Sequence, residues 1–230
     1  MNLRDKVIVI TGAGKGLGRA LVEICVKEDA KVMAADIAAQ LSGRAIARPD
    51  SNEVFAVQAD VSDEDQVKNL AQTAVQKFGR IDIWVNNAGI WIPHGPVEET
   101  SAERARKLIN VNFLGTLFGC QEALKQMKRQ GEGTIVNVIS IRAKDPRAGE
   151  VAYTASKFAA DGLTKALREE LRSANIAVLG VYPGGMQTNL FEEKMPENYK
   201  EYMPPEDVAQ KIIENLKNDS PQDELIIKRN

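Results

Sequence analysis

The sequence predicts a doubly wound α/β fold, with helices on both faces of a mostly parallel sheet of seven strands. Short apolar runs alternate along the 230 residues with segments whose apolar residues keep helical spacing. Strands that are apolar throughout need helices on both faces, and strand-helix-strand alternation gives parallel strands joined by right-handed crossovers. The length suits one such domain and is short for two with a linker, so we expect a single domain over residues 1–230.

Each predicted element has its own local signal. After the first strand, Leu17, Leu21 and Ile24 keep the spacing of one helical face, and a similar helix follows the third strand. Residues 38–52 are the least regular segment, with room for only a weak helix, and the polar, proline-punctuated residues 192–205 predict a loop. In chain order, the predicted strands are residues 7–10, 31–35, 54–57, 81–85, 134–139, 176–181 and 224–227.

Composition and charge exclude several classes of protein. The 30 Lys+Arg residues against 32 Asp+Glu leave no basic excess for nucleic acid. The first residues run straight into an apolar strand, which is unlike a signal peptide or a membrane span, so we expect a cytoplasmic protein. Cys25 and Cys120 are expected in the core. The single His94 makes a serine-hydrolase triad or a multi-histidine metal site hard to build, and no metal is expected.

A glycine-rich turn, Thr11-Gly12-Ala13-Gly14-Lys15-Gly16-Leu17-Gly18, joins the first strand to the first helix. Glycines let the backbone approach a pyrophosphate, whose charge meets the free amides and the positive end of the helix dipole. The literal G-x-G-x-x-G pattern is absent, because Leu17 and Arg19 stand at its third-glycine positions. The second strand ends at Asp36, where a carboxylate can accept hydrogen bonds from an adenosine ribose. The turn and the carboxylate together predict a dinucleotide site.

Two residues bear on which dinucleotide binds. A 2′-phosphate within about 5 Å of Asp36 meets a repulsion of roughly 2 to 4 kcal/mol, which favours NAD(H). Lys15, just before Gly16 in the turn, is placed to attract a 2′-phosphate, so NADP(H) is the alternative. Because the repulsion from Asp36 must be overcome first, we expect NAD(H).

A tyrosine and a lysine at helical spacing predict proton transfer. Tyr153 and Lys157 are four residues apart and share one helix face, while Ser140 ends the fifth predicted strand upstream. A positive charge about 4 Å from a phenol is worth roughly 4 kcal/mol at an effective dielectric near 20. We therefore expect Lys157 to lower the pKa of Tyr153 by about three units from its usual value near 10.

With these motifs assembled, the chain resembles the compact single-domain branch of the short-chain dehydrogenase/reductase family over nearly its whole length, and is similar to its 3-oxoacyl-carrier-protein reductase-like members. The resemblance implies a Rossmann-like form of the predicted fold. The matching motifs are the T-G-x-x-x-G-x-G turn at residues 11–18, the pair Asp60-Val61, the N-N-A-G run Asn86-Asn87-Ala88-Gly89, and the P-G-x-x-x-T run at residues 183–188.

The resemblance implies a site and a role for each catalytic residue. Tyr153 acts as general acid and base, Ser140 stabilises charge on the carbonyl oxygen, and Lys157 also bonds the nicotinamide ribose. Asn112 orders a water relay for the proton. The implied cofactor contacts are Thr11, Gly12, Lys15, Gly16, Leu17, Gly18, Asp36, Asp60, Val61, Asn86, Ala88, Gly89, Tyr153, Lys157, Pro183, Gly184, Met186 and Thr188.

The substrate is less constrained than the reaction. Candidates are 3-oxoacyl thioesters, small ketones and polyols. We expect Arg142, Lys144 and Arg147 to be solvated loop charges, with contact to an acidic substrate as the alternative. Residues 90–94, which include His94 as an ordinary loop residue, are expected to roof the pocket, and residues 190–202 are expected to form a lid.

Alternatives concern both the function and the assembly. One is a redox sensor that binds a dinucleotide without turnover, although a sensor has no need of Ser140, Tyr153 and Lys157 together. Another is a sugar-nucleotide epimerase, for which the C-terminal region leaves little room. A homodimer or homotetramer is expected, with residues 102–130 and 153–173 as candidate contact helices.

Overall fold

A computed structural model describes residues 1–38 and 54–229. It contains one sheet of seven strands in the order β3-β2-β1-β4-β5-β6-β7, and every neighbouring pair is parallel. The predicted doubly wound fold is thus confirmed. The strands are β1 (Val7–Thr11), β2 (Lys31–Asp36), β3 (Val54–Gln58), β4 (Ile83–Asn86), β5 (Gly133–Val138), β6 (Ile176–Pro183) and β7 (Glu224–Ile227).

The described helices begin and end at residues with clear local causes. The Asp63 carboxylate caps the second helix by accepting from the amides of Asp65 and Gln66, and Gly79 ends that helix at a φ of 83°. The helices are α1 (Gly16–Lys27), α2 (Glu64–Phe78), α3 (Ala102–Ile109), α4 (Gly115–Gln130), α5 (Val151–Glu170) and α6 (Pro205–Lys217); a π-helical turn, Asn110–Leu114, joins α3 to α4.

The core lies in two layers, one on each face of the sheet. Ile8 and Ile10 of β1 face α1 and α6, whereas Val9 between them faces the opposite layer, which includes residues of α2 and α4. This alternation follows from the two-residue period of a strand. Both cysteines are buried, as expected, and burial raises the pKa of each thiol to about 12.

Most of the predicted weak helix at residues 38–52 lies outside the described residues. The predicted loop at residues 192–205 contains a short 3₁₀ turn, Tyr199–Glu201, and Pro205 already begins α6. No described helix is both long enough and apolar enough to cross a membrane. Within residues 1–38 and 54–229, no three His, Cys, Asp or Glu side chains are grouped so that they could hold a metal ion.

Candidate active site

A cleft of about 880 Å³ runs along the carboxyl ends of the strands. This volume is within the range of sites that hold cofactors and small ligands, and the carboxyl edge is where open parallel sheets bind them. Most of the predicted site residues line it: Gly12, Lys15, Gly16, Leu17, Asp36, Asp60, Val61, Ala88, Gly89, Ser140, Tyr153, Lys157, Pro183, Gly184, Met186 and Thr188.

Four predicted site residues do not line the cleft. Thr11 joins two turns beneath it, because its Oγ accepts from the amides of Asn87 and Ala88, each at 3.1 Å. Asn86 is buried beneath α4, where its Oδ1 accepts from the Trp84 indole at 2.7 Å. As the last residue of β4, Asn86 turns its side chain away from the cleft, so the predicted cofactor contact gains no support from that side chain. The other two residues are Gly18 and Asn112.

Gly18 lies beneath the glycine turn, in contact with Gly12. A Cβ at Gly18 would lie 2.0 Å from the carbonyl oxygen of Gly12, so only glycine lets α1 pack this closely against the turn. At the start of α1, Lys15 gives no side-chain cap, and the first turn contains no acidic residue. The amides of that turn and the positive end of the helix dipole are therefore left for an anionic group.

The ribose end of the cleft carries two carboxylates held by the backbone. Asp36 Oδ2 accepts from the amide of Gly14 at 2.8 Å, and its Oδ1 accepts from that of Ala38 at 3.1 Å. Asp60 Oδ1 accepts from the amide and hydroxyl of Ser62. Lys15, in contrast, is largely exposed, and its ammonium lies 3.4 Å from the Glu192 carboxylate.

Ser140, Tyr153 and Lys157 meet at the centre of the cleft. Ser140 lies two residues after the end of β5, and its Oγ accepts from the amide of Arg142 at 3.1 Å. Tyr153 and Lys157 lie on one face of α5, and the lysine Nζ is 5.9 Å from the centroid of the tyrosine ring. The same Nζ donates to the carbonyl of Val138 at 3.3 Å. All three side chains are buried in the cleft wall.

Burial governs the acidity of both titrating groups. It raises the pKa of Tyr153 to about 12, with the Ser140 hydroxyl acting in the opposite direction, and it lowers the pKa of Lys157 to about 8. The expectation of a lowered pKa at Tyr153 is therefore wrong. That expectation considered only the attraction between two charges about 4 Å apart and omitted the loss of water on burial, which is the largest cause of the pKa shift at both residues.

Asn112 holds the loop after β4 in place. Its Oδ1 accepts from the amide of Ile90 at 2.8 Å, and its Nδ2 donates to the Ile90 carbonyl and to Ser156 Oγ, each at 3.0 Å. The residue is fully buried in the π-helical turn. Its amide hydrogens are thus already bonded to protein atoms, and the expected water relay at Asn112 stays a prediction.

Aromatic side chains enclose the substrate end of the cleft. Trp91 packs edge-on against Phe191, with ring centroids 5.1 Å apart, and Phe191 packs against Tyr202 at 5.6 Å. Trp91 also shares a buried cluster with Tyr153 and Leu108. The roof after Asn-Asn-Ala-Gly and the lid segment expected from the sequence therefore meet over the catalytic tyrosine.

Three basic residues follow Ser140, and only one is a solvated loop charge. Arg147 is exposed, as expected. Arg142 Nε instead lies 2.6 Å from Glu150 Oε2, with both side chains largely buried, and Lys144 pairs with the buried Asp161 at 3.4 Å. The expectation of solvation is corrected for Arg142 and Lys144, because carboxylates distant in sequence cover them.

Asn87 and Glu150 are among the residues that line the cleft but were not predicted from the sequence as site residues. Asn87 donates from Nδ2 to the carbonyls of Thr11 and Gly12, at 2.8 and 3.0 Å, and so holds the glycine turn. Its position in the N-N-A-G run, directly before Ala88 and Gly89, was a usable signal. Glu150 gave no local signal, because its partners Arg142 and His94 lie on other segments.

Comparisons with known proteins agree with this geometry. A family model described as short chain dehydrogenase matches residues 6–198. The chain is 36% identical to the 3-oxoacyl-[acyl-carrier-protein] reductase of Thermotoga maritima over 93% of this chain and 91% of that protein. It is 35% identical to the levodione reductase of Leifsonia aquatica over 84% of this chain and 76% of that protein.

Solved structures give the same result. A 3-ketoacyl-(acyl-carrier-protein) reductase from Brucella melitensis, crystallised in complex with NADH, superposes with a TM-score of 0.88 at 31% identity, covering 98% of this chain and 97% of that one. The match therefore includes both the cofactor half and the catalytic half of the cleft. The chain belongs to the short-chain dehydrogenase/reductase family and is an NAD(P)-dependent oxidoreductase acting on carbonyl or CH–OH groups.

Proposed function

We propose that this chain, as a single NAD(P)-binding domain, reduces a small ketone with NADH and runs the reverse oxidation, with Tyr153 as general acid and base. The observation that carries the proposal is the meeting of Ser140, Tyr153 and Lys157 in one cleft with the glycine turn. Proton donor and cofactor cradle then flank a single substrate position, as hydride transfer to a carbonyl requires.

The residues of the cleft fit a dinucleotide. The turn between Gly12 and Gly18 allows close backbone approach, and the uncapped start of α1 suits a pyrophosphate. Asp36 would hold the adenosine ribose, and Lys157 and Thr188 would hold the nicotinamide end. When bound, the nicotinamide supplies or accepts the hydride.

Tyr153 and Ser140 then act on the oxygen of the substrate. Tyr153 gives its proton to the carbonyl oxygen during reduction and removes it from the hydroxyl during oxidation. Because burial raises the pKa of Tyr153 to about 12, the phenol hydroxyl keeps its proton at neutral pH, which is the form that reduction needs. Ser140 donates a hydrogen bond to the same oxygen, a contribution of about 3 kcal/mol to the transition state.

Asn112 acts through positioning. Its side chain fixes Ile90 at the roof and Ser156 on α5, so it holds the substrate end against the helix that carries Tyr153.

NAD(H) is the proposed cofactor. The Asp36 carboxylate is fixed by two backbone amides at the end of β2, where a 2′-phosphate would meet its charge. Lys15 contacts Glu192, which offsets its attraction for a phosphate. The Brucella melitensis reductase, crystallised with NADH, is consistent with this choice. A lower Michaelis constant for NADPH than for NADH would contradict it and show that Lys15 decides the preference.

The substrate end favours an uncharged ring or short chain. Trp91, Phe191 and Tyr202 present aromatic faces, and Glu150 neutralises Arg142 beside them. The relatives named levodione reductase and 3-oxoacyl-carrier-protein reductase make cyclic diketones and 3-oxoacyl thioesters the first substrates to assay.

The decisive experiment replaces Tyr153 by Phe, which keeps the ring and removes the exchangeable proton. Turnover of a verified carbonyl substrate, followed by nicotinamide absorbance, should fall by about 10³-fold. NADH affinity, measured by fluorescence, should stay close to wild type. Wild-type turnover in the variant would refute the assignment of Tyr153, whereas tight NADH binding without turnover of any carbonyl or alcohol by the wild type would favour a redox sensor.

Self-association into a homodimer or homotetramer is also proposed. Val151 and Phe158 expose about half of their apolar side chains on α5, and they lie seven residues apart, on one side of the helix. Light scattering of the pure protein measures the number of subunits, and a monomer at micromolar concentration would contradict the proposal.

A further inference from the structure

A largely buried ion pair joins the two segments that carry Ser140 and Tyr153. Arg142 lies in the short 3₁₀ turn that begins directly after Ser140, and its backbone amide donates to the Ser140 hydroxyl. Glu150 immediately precedes α5, on which Tyr153 occupies the first turn. The Arg142 Nε and the Glu150 Oε2 are 2.6 Å apart, and the two side chains are 13% and 6% exposed.

The pair is anchored on its outer side as well. His94 Nε2 lies 2.7 Å from Glu150 Oε1, and the His94 ring packs edge-on against Trp91. Arg142 also donates through NH1 to the carbonyl of Asp145. Both charged groups therefore lie in the wall of the same cleft as Tyr153.

Stability alone is a poor explanation for this arrangement. Two charges removed from water incur a desolvation cost that their attraction seldom exceeds, and apolar residues of similar volume usually serve a fold as well or better. The pair also faces the cleft that contains Ser140 and Tyr153. Buried charges beside a titrating group change its acidity, which apolar side chains cannot do.

We propose that Arg142 and Glu150 form an electrostatic clamp that positions Ser140 against Tyr153 and sets the acidity of the tyrosine through two opposed charges. This inference rests on the proposed role of Tyr153. It makes Arg142 and Glu150 positioning residues of the reaction, neither of which donates the proton itself.

Glu150 and Arg142 shift the pKa of Tyr153 in opposite directions. Glu150 raises the pKa of Tyr153 and Arg142 lowers it, so each offsets the other. The other charged or titratable groups that line the cleft come from several segments: Lys15 in the glycine turn, Asp36 at the end of β2, Asp60 after β3, Lys157 on α5, His94 on the loop after β4, Glu103, Arg106 and Lys107 on α3, and Glu192, Glu193 and Tyr202 on the lid segment. Among the described residues, Glu150 and Arg142 are the charged groups that contribute to the shift in the pKa of the phenol.

The test uses three variants of the holoenzyme: Glu150→Gln, Arg142→Gln and the double variant. In the oxidation of an alcohol, turnover rises as Tyr153 loses its proton. Glu150→Gln should move the midpoint of this rise to lower pH by about one unit, and Arg142→Gln should move it up by a similar amount. In the double variant the midpoint should return to within a few tenths of a unit of wild type.

Arg147→Gln is the matched control, because Arg147 is an exposed arginine of the same segment; its midpoint should equal that of wild type. Arg142→Lys, which keeps the charge, should also retain the wild-type midpoint while lowering turnover through the loss of the guanidinium geometry. If Arg142→Gln fails to fold, the proposal is tested by the other two variants: the midpoint of the pH dependence should fall in Glu150→Gln and stay unchanged in Arg142→Lys. Midpoints that do not move, or that move in the same direction in both single variants, would overturn the proposal.

Failure of the proposed function has a different signature. If the wild-type protein turned over no substrate, the proposed function would be refuted. The clamp would then be tested by a measurement that needs no substrate. Tyrosinate absorbance against pH, corrected with the matching Tyr153→Phe protein for each variant, should give the lower midpoint for Glu150→Gln. Equal midpoints there would refute the clamp as well.

Discussion

Two buried charged groups at opposite ends of the sheet, Asp82 and Lys157, are held in different ways. At the amino end, the buried Asp82 carboxylate lies 3.3 Å from the ammonium of Lys6 and 2.6 Å from the guanidinium of Arg80, and it accepts from the amide of Val7. At the carboxyl end, the equally buried Lys157 donates to a neutral carbonyl, and no charged group among the described residues contributes to its pKa shift.

This difference separates structural from functional electrostatics within one sheet. Removing a buried charge leaves its buried partners unpaired and strongly destabilises a fold, whereas a buried charge without a charged partner itself destabilises the fold and is retained where a ligand or a reaction needs it. The uncapped start of α1 fits the same pattern. We therefore expect substitutions at the carboxyl end to change activity, and substitutions at the amino end to change stability alone.

The largest effect is expected for Lys157→Met. Turnover should fall by about 100-fold or more, since a charge that supports proton transfer is removed. The fall in the lysine pKa from 10.5 to about 8 corresponds to about 3 kcal/mol of burial cost at neutral pH. Allowing about 1 kcal/mol for the lost hydrogen bond, the free energy of unfolding should rise by about 2 kcal/mol in urea denaturation. An inactive variant that is less stable than wild type would break the comparison.

Asp82→Asn should give the reverse result. The amide keeps the shape of the side chain but removes the charge that meets Lys6 and Arg80, so the free energy of unfolding should fall by about 2 kcal/mol. Turnover at 25 °C should be unchanged. Glu132→Gln is the matched control, because it removes an exposed partner of the same arginine and should cost less than about 0.5 kcal/mol. A loss of turnover in folded Asp82→Asn would contradict the division between the two ends.

Asp36→Asn should change the cofactor preference. The amide still accepts from the amide of Gly14, but its neutral group no longer repels a 2′-phosphate. The ratio of kcat/KM for NADPH to that for NADH should rise by about 10- to 30-fold. Lys15→Gln makes the matching test at the other candidate residue. It should change the ratio of kcat/KM for NADPH to that for NADH by less than Asp36→Asn does, because Lys15 is exposed and contacts Glu192. A larger effect from Lys15 would transfer control of the preference to the turn.

The smallest effect is a change in stability with pH. Between pH 8 and 10.5 the unfolded chain keeps a proton on Lys157 that the folded protein has released, so unfolding takes up a proton and stability rises with pH. The stability advantage of Lys157→Met should therefore shrink by about 1 kcal/mol from pH 7 to pH 9. Denaturant titrations of both proteins at the two pH values measure it, and a constant difference would show that Lys157 is not buried as a charge.

The sheet, the site and the family were accessible from the sequence because local patterns encode them. Apolar runs marked the strands, and the turn from Thr11 to Gly18 together with Tyr153 and Lys157 gave fixed spacings. Parallel strands then bring their carboxyl ends to one edge, whatever their separation in sequence. Such features need no knowledge of tertiary contacts.

The errors arose where tertiary contacts decide. The pKa of Tyr153 depends on how much water its ring loses, which spacing along a helix does not report. Arg142 is covered by Glu150, and Lys144 by Asp161, across segments that no short motif links. The side chain of Asn86 faces α4 because of the strand pleat, and a one-residue difference in register decides that orientation.

The strand order also dictates a sequence of assembly. A chain made from its amino end has β1 and β2 available early, but β1 gains its second neighbour only when Ile83–Asn86 has been synthesised. From β4 onward, each new strand adds beside the one made before it, against an edge that already exists. Gly12 and Asp36, which are proposed to hold the nucleotide, thus precede Ser140 and Tyr153 in synthesis, so the residues proposed for the reaction are added last to a sheet whose first strands are already made.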